Sequence, residues 1–143
     1  MAETRARLAL ETVTGEGLRF LATSDKGLTL ALDSGPLATA PNPMEALLAA
    51  LGACSGMDVI SILRKKRQQV TGYTIELVGQ RLEEHPRAYT AIELVHRVTG
   101  RGLSPAAVED ALRLSETKYC SVHATLAHGV PITSRFEILD ESA

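Results

Sequence analysis

Asn42-Pro43-Met44-Glu45-Ala46-Leu47-Leu48-Ala49-Ala50-Leu51-Gly52-Ala53-Cys54 is the best-marked stretch of this 143-residue chain. Asn42 is a good N-cap. Pro43 stands at the first helical position, where a missing N–H does no harm, and Glu45 falls at the third, as the acidic half of a capping box. Nothing beyond it forbids a helix until about Gln69. Residues 44–63 are apolar nearly all round, so the pattern predicts a long helix running through the core. The apolar region from Ala46 to Leu63 is interrupted by Gly52, Ser55, Gly56, Asp58 and Ser61, which reads as a buried helix rather than a membrane span. It closes on Arg64-Lys65-Lys66-Arg67. That basic run reads as a solvated tail complementing the helix dipole, with a phosphate or membrane patch as the minor reading.

Upstream of the helix, residues 4–13 alternate loosely and stop at the turn signal Thr14-Gly15-Glu16-Gly17. Leu18 to Thr23 reads as the returning arm of a hairpin. Leu28, Leu30 and Leu32 mark a third strand before a Gly-, Pro- and Ala-rich loop over 33–41. Downstream, Tyr73–Arg81 and Tyr89–Thr99 alternate around Glu83-Glu84-His85-Pro86-Arg87 and predict an antiparallel hairpin. In its second arm Ile92, Leu94, His96 and Val98 share one face, and Ala91, Glu93, Val95 and Arg97 the other. Ser104-Pro105 opens a second helix carrying Val108, Ala111, Leu112, Leu114 and Ser115. Tyr119–His128 reads as a third, short helix ended by Gly129, and Ile132–Leu139 as a terminal strand. The expected class is α+β, a single domain over residues 1–143.

The composition excludes several functions. Net charge is −2, aromatic residues are 3% and there is no Trp, so the chain offers neither a basic face nor stacking platforms for nucleic acid. Residues 1–10 are mixed and charged and lack the apolar core of a signal peptide, so a cytoplasmic location is the expectation and no membrane partner is expected. In that reducing compartment the two cysteines, Cys54 and Cys120, are inert or redox-active rather than permanently bridged.

Cys54 falls about three turns into the helix, too far from its N-terminus for the dipole to favour a thiolate. Asp58 stands one turn further on the same face, where a carboxylate disfavours a thiolate unless it is paired with a base. Cys120 lies near the start of the expected third helix with Lys118 beside it, and both features favour a thiolate. His123 is three residues on and could face the same side. On residue types alone, two buried and inert thiols are the bland alternative. A zinc site from the two cysteines and His123 is a third reading, weakened by the absence of CxxC or HxxxH spacing.

The Asn42–Cys54 stretch resembles the family of osmotically inducible protein C and organic hydroperoxide resistance protein (OsmC/Ohr). So do Tyr119-Cys120-Ser121-Val122, Glu84-His85-Pro86-Arg87 and Thr99-Gly100, so that the likeness covers nearly the whole chain. The resemblance implies antiparallel sheets packed on a long central helix, in an intertwined homodimer with its active sites at the subunit interface. It implies a peroxidatic Cys54 that an organic hydroperoxide oxidises to a sulfenic acid, a resolving Cys120 that closes a disulfide, and an external dithiol such as dihydrolipoamide as reductant. No cofactor and no metal are implied.

The chain departs from the pattern as a divergent branch would. Peroxidases of that family support the first cysteine with an N-terminal Arg and with a Glu directly after the Asn-Pro. Here Met44 takes that place, and Glu45 points about 100° round the helix, where capping explains it. Arg19, Arg7 and Arg5 are the upstream candidates for the Arg, and Arg87 an outlying one.

Three functional readings follow. One is a thiol peroxidase. The second is a dimer that senses redox state or holds a small apolar or electrophilic ligand beside Cys54, in a pocket walled by Met44, Met57 and leucines. The third is an inert structural domain whose thiols resist labelling.

Overall fold

Leu8 and Leu10, Phe20 and Ala22, and Leu30 and Leu32 recur at every second position. The structure, a computed structural model that describes residues 2–13 and 15–141, pairs them across three strands. Of the expected Thr14–Gly17 turn, Thr14 lies outside the described residues, as do Met1, Ser142 and Ala143. The strands β1 (Ala6–Leu10), β2 (Phe20–Ser24) and β3 (Thr29–Leu32) form an antiparallel meander. Leu8 sits opposite Ala22 and Ala22 opposite Leu30, so one face of the sheet is a continuous apolar surface. Leu8 and Leu30 on that face remain 52% and 55% exposed. Gly27, at φ 80°, makes the turn between β2 and β3 and donates its N–H to Ser24.

This meander belongs to the first of two compact units, Met1–Leu47; the second is Leu48–Ala143. Helix α1 (Pro43–Lys65) starts in the first and continues in the second. Its start is the expected capping box: the Glu45 N–H donates to Asn42 Oδ1 at 2.8 Å, and the Asn42 N–H donates to Glu45 Oε1 at 3.0 Å. Such a cap is worth about 1 kcal/mol.

The helix does not reach Gln69. It stops at Lys65 because Arg67 turns into the left-handed region, at φ 57°, and the Gln68 N–H folds back onto the Leu63 carbonyl at 2.9 Å. The basic tail is therefore a turn. Lys66 in it is tied to Asp110 at 2.8 Å.

In the second unit, β4 (Gln69–Arg81) and β5 (Tyr89–Arg101) form the expected hairpin, and β6 (Ile132–Asp140) lies on the far side of β5. One expectation fails: β6 runs parallel to β5, so this sheet is mixed rather than wholly antiparallel. A parallel return needs a long crossover, and α2 (Pro105–Leu114) with α3 (Ser121–Leu126) supplies it.

The alternation in β5 holds on one face, while Val95 on the other is also buried. Ile92, Leu94, His96 and Val98 are buried, while Arg97 on the opposite face holds Glu76 at 3.0 Å and Glu137 at 2.9 Å. Val59 and Leu63 of α1 pack with Val98, Val108 and Ala111 in one cluster, each large side chain contributing about 2 kcal/mol. Leu51 packs with Ile92, Leu94 and Cys120 in another.

Gly52 and Gly56 let β4 approach the helix. A Cβ at Gly52 would stand 2.7 Å from Leu77 Cδ1, and one at Gly56 2.8 Å from Ile75 Cδ1. The helix is not covered on all sides within one chain, as its composition suggested. Met57 is 70% exposed. An apolar cavity of about 540 Å³, lined by Ala53, Gly56, Met57, Ile60, Tyr73 and Leu77 among others, opens along the face turned to β4.

Candidate active site

The i, i+4 spacing of Cys54 and Asp58 puts both on one stripe of α1. The chain between α2 and α3 meets that stripe. After Leu114 the helix widens into a π-turn, Ser115–Tyr119, closed by the Cys120 N–H donating to the Ser115 carbonyl at 2.8 Å. The turn ends at Cys120, whose extended backbone (φ −76°, ψ 103°) starts α3 as its N-cap.

The result is a cluster of three groups from distant parts of the sequence. Cys54 Sγ, Cys120 Sγ and a carboxylate oxygen of Asp58 all lie within 4.8 Å of one another. Both thiols are free. Ser115 Oγ donates to Asp58 Oδ2 at 2.9 Å, and the His123 N–H donates to Cys120 Sγ at 3.3 Å.

Access separates the two sulfurs. Cys54 is half-buried, whereas Cys120 is 3% exposed. Lys118 and the start of α3 favour a thiolate at Cys120, but its surroundings work against one. Burial pushes its pKa up, the Cys54 sulfur and the Asp58 carboxylate push it further, and the His123 N–H only partly opposes them, leaving it at about 11. The balance favours the Cys120 thiol over its thiolate. A second pocket of about 340 Å³ reaches Asp58 between Ser61, Lys65, Leu114 and Tyr119.

Of the other residues singled out from the sequence, His123 contributes its backbone N–H to the cluster, and its ring is not among the three clustered ligands. The exposed Lys118 points its ammonium over the ring of Tyr119, at 5.2 Å. Arg87 accepts a hydrogen bond from Arg81 Nε through its carbonyl. Glu45 is engaged in the capping box. Arg19, in the first unit, donates to Glu11 at 2.9 Å and to Thr39 at 2.6 Å, and Arg5 there pairs with Glu3.

Ser115 was missed as a site residue. It reads as the last residue of a helix, and no local signal marks the π-turn that aims it at Asp58. A second unforeseen polar pair lies under the apolar cavity. The Tyr73 hydroxyl meets His96 Nδ1 at 2.6 Å inside the core, and His96 Nε2 is buried without a partner among the described residues.

The mixed α+β fold is shared with OsmC-like proteins. Residues 35–135 match that family, and the chain belongs to it. It is 46% identical over 124 residues to Protein YhfA of Escherichia coli (strain K12), covering 87% of this chain and 92% of that one. Among solved structures, a hypothetical protein from Aquifex aeolicus VF5 is 34% identical with a TM-score of 0.78, over 96% of this chain and 98% of the other. An organic hydroperoxide resistance protein OsmC from Legionella pneumophila shares the fold at 14% identity and a TM-score of 0.66, again over 96% and 98%.

Proposed function

We propose that this chain is a thiol-dependent peroxidase-type protein that reduces organic hydroperoxides through Cys54 and Cys120. One observation carries the reading: two sulfurs remote in sequence stand within 4.8 Å, on separate elements, in a site with an opening beside it. A disulfide needs about 2.05 Å between sulfurs, which a rotamer change and a small backbone shift can supply. Exposure assigns the roles. Cys54, the more accessible sulfur, meets the oxidant, and the buried Cys120 resolves. Family membership and the shared fold with a hydroperoxide resistance protein support the same reading.

In the proposed cycle the Cys54 thiolate attacks the hydroperoxide. An S–O bond forms, the O–O bond breaks, and the alkoxide takes up a proton to leave as an alcohol. The Cys120 sulfur then attacks the sulfenic acid of Cys54. The S–S bond forms, and the hydroxide released combines with the proton given up by Cys120 to leave as water. An external dithiol of the dihydrolipoamide kind reduces the disulfide and is itself oxidised.

The reading includes a cytoplasmic homodimer. The apolar sheet face carrying Leu8 and Leu30 and the open flank of α1 at Met57 are surfaces that a second copy would cover. Sedimentation should then give twice the mass of one chain.

The reading is tested by adding one equivalent of an alkyl hydroperoxide to the reduced protein and mapping its peptides. A Cys54–Cys120 disulfide, an alcohol product and renewed consumption on adding dithiol are expected. A disulfide that forms without turnover would instead favour the sensor reading, for which the apolar cavity along α1 is the supporting observation. Thiols left unoxidised would sink both.

A further inference from the structure

We propose that Cys54, Asp58 and Cys120, in the dithiol state, form a site for one thiophilic cation of the zinc type. The site shares its sulfurs with the proposed redox centre but does not depend on peroxide turnover. Sequence spacing gives no hint of it. The absence of CxxC and HxxxH motifs argued against a metal, and the trio considered there included His123. Tertiary contact builds another trio, in which Asp58 takes that place.

The donor set fits such an ion. Tetrahedral zinc with Zn–S bonds of about 2.3 Å and a Zn–O bond of about 2.0 Å separates its ligands by roughly 3.5 Å, so three atoms within 4.8 Å of one another need close by only about an ångström. As the ion binds, the two thiols give up their protons to solvent, and the resulting two thiolates with one carboxylate select a borderline-soft ion over magnesium or calcium, which prefer six or more oxygens. Three protein ligands leave a fourth position for water, as in zinc sites that are not closed.

The outer contacts are those that hold metal ligands in place. Ser115 Oγ donates to Oδ2 of Asp58 and so holds that carboxylate in place beside the sulfurs. The His123 N–H is directed at Cys120 Sγ, where it supports a bound sulfur. The cluster also spans two segments, α1 and the N-cap of α3, so a bound ion would cross-link them.

The two states of the sulfurs then exclude each other. Two thiolates, one hydroperoxide and two protons give a disulfide, an alcohol and water, and both sulfurs lose the charge that held the cation. The ion is released as the S–S bond forms, and occupancy in turn shields Cys54 from oxidant.

Cobalt is the probe. The 143-residue chain, reduced and freed of metal under anaerobic conditions, is titrated with Co²⁺. A thiolate-to-cobalt charge-transfer band with tetrahedral ligand-field bands, saturating at one Co²⁺ per chain and displaced by Zn²⁺, is expected. Affinity should fall at least about 100-fold in Cys54→Ser and Cys120→Ser, and about 10- to 100-fold in Asp58→Asn and Ser115→Ala. Absence of the band, or wild-type affinity in Cys120→Ser and Asp58→Asn, would overturn the assignment.

A second measurement needs no variant. Stoichiometric Zn²⁺ should slow alkylation of Cys54 in the native chain, and a chelator should restore it. An unchanged rate would also count against the site. A protein that binds Co²⁺ through both sulfurs but never turns over hydroperoxide keeps this inference and loses the peroxidase reading. Turnover without the cobalt band does the reverse.

Discussion

Cys54→Ser should consume alkyl hydroperoxide in the presence of a dithiol about a thousandfold or more slowly than the parent chain, because a serine hydroxyl is not ionised at neutral pH and cannot accept the oxygen. Cys120→Ser should behave differently. Its Cys54 still meets the oxidant, so about one equivalent of peroxide disappears in a first turnover. The sulfenic acid then has no partner within reach, and it should be captured by a carbon-acid probe or pass to sulfinic acid as peroxide is added. The asymmetry follows from access, since Cys120 is 3% exposed and Cys54 is half-buried. The measurement is a stopped assay of residual hydroperoxide with mass spectrometry of the two cysteine peptides. Full turnover in Cys54→Ser would end the peroxidase reading. Sulfenic acid appearing on Cys120 instead would reverse the roles.

Between pH 6.5 and about 4, the chain should lose about 3 kcal/mol of folding stability through His96 alone. Its imidazole is wholly buried in β5, and burial lowers its pKa from 6.5 to about 4. The unfolded chain therefore binds a proton that the folded chain refuses throughout that window. The contribution is whole above pH 6.5, falls by up to about 1.4 kcal/mol per pH unit below it, and is lost by about pH 4.

Asp33, Asp110 and Glu137 also have lowered values, from 3.8, 3.8 and 4.5. Asp33 is held by backbone N–H groups of Thr39 and Ser34, Asp110 by Lys66 and Arg113, and Glu137 by Arg135 and Arg97. Their stabilising effect is intact above those ordinary values and disappears only lower, so it does not overlap the upper part of the His96 window. Urea unfolding of the parent and of His96→Asn at several pH values separates them. The variant should be less stable at pH 7, because Tyr73 loses its partner at Nδ1, but its curve should be flat from pH 6.5 to 5. Parallel curves would show that another group carries the acid sensitivity.

Several features of the site were legible in the residues. Asn42 and Glu45 cap α1 as their spacing required, Ser104 caps α2 through the Ala107 N–H, and the set Ile92, Leu94, His96 and Val98 that shares one face of β5 is buried, although Val95 on the other face is buried with it. The likeness of the two cysteine segments to the family led to Cys54 and Cys120 as a pair. Thiolate character at Cys120 did not follow from its neighbours. Lys118 and the start of a helix argued for ionisation, but Lys118 turns to Tyr119, and one N–H at 3.3 Å does not offset burial with two groups from α1 alongside.

Helix caps, hairpin arms and the inward set of alternating residues were readable from the chain because each depends on groups a few positions apart, whose geometry the backbone itself imposes. The parallel docking of β6, the π-turn, the Ser115–Asp58 contact, the suppressed ionisation of Cys120 and the gathering of two sulfurs with a carboxylate arose only on folding. Each is a sum over atoms from segments far apart in sequence. Desolvation and proximity, the terms that decide such sums, take their values only when those segments share one interior.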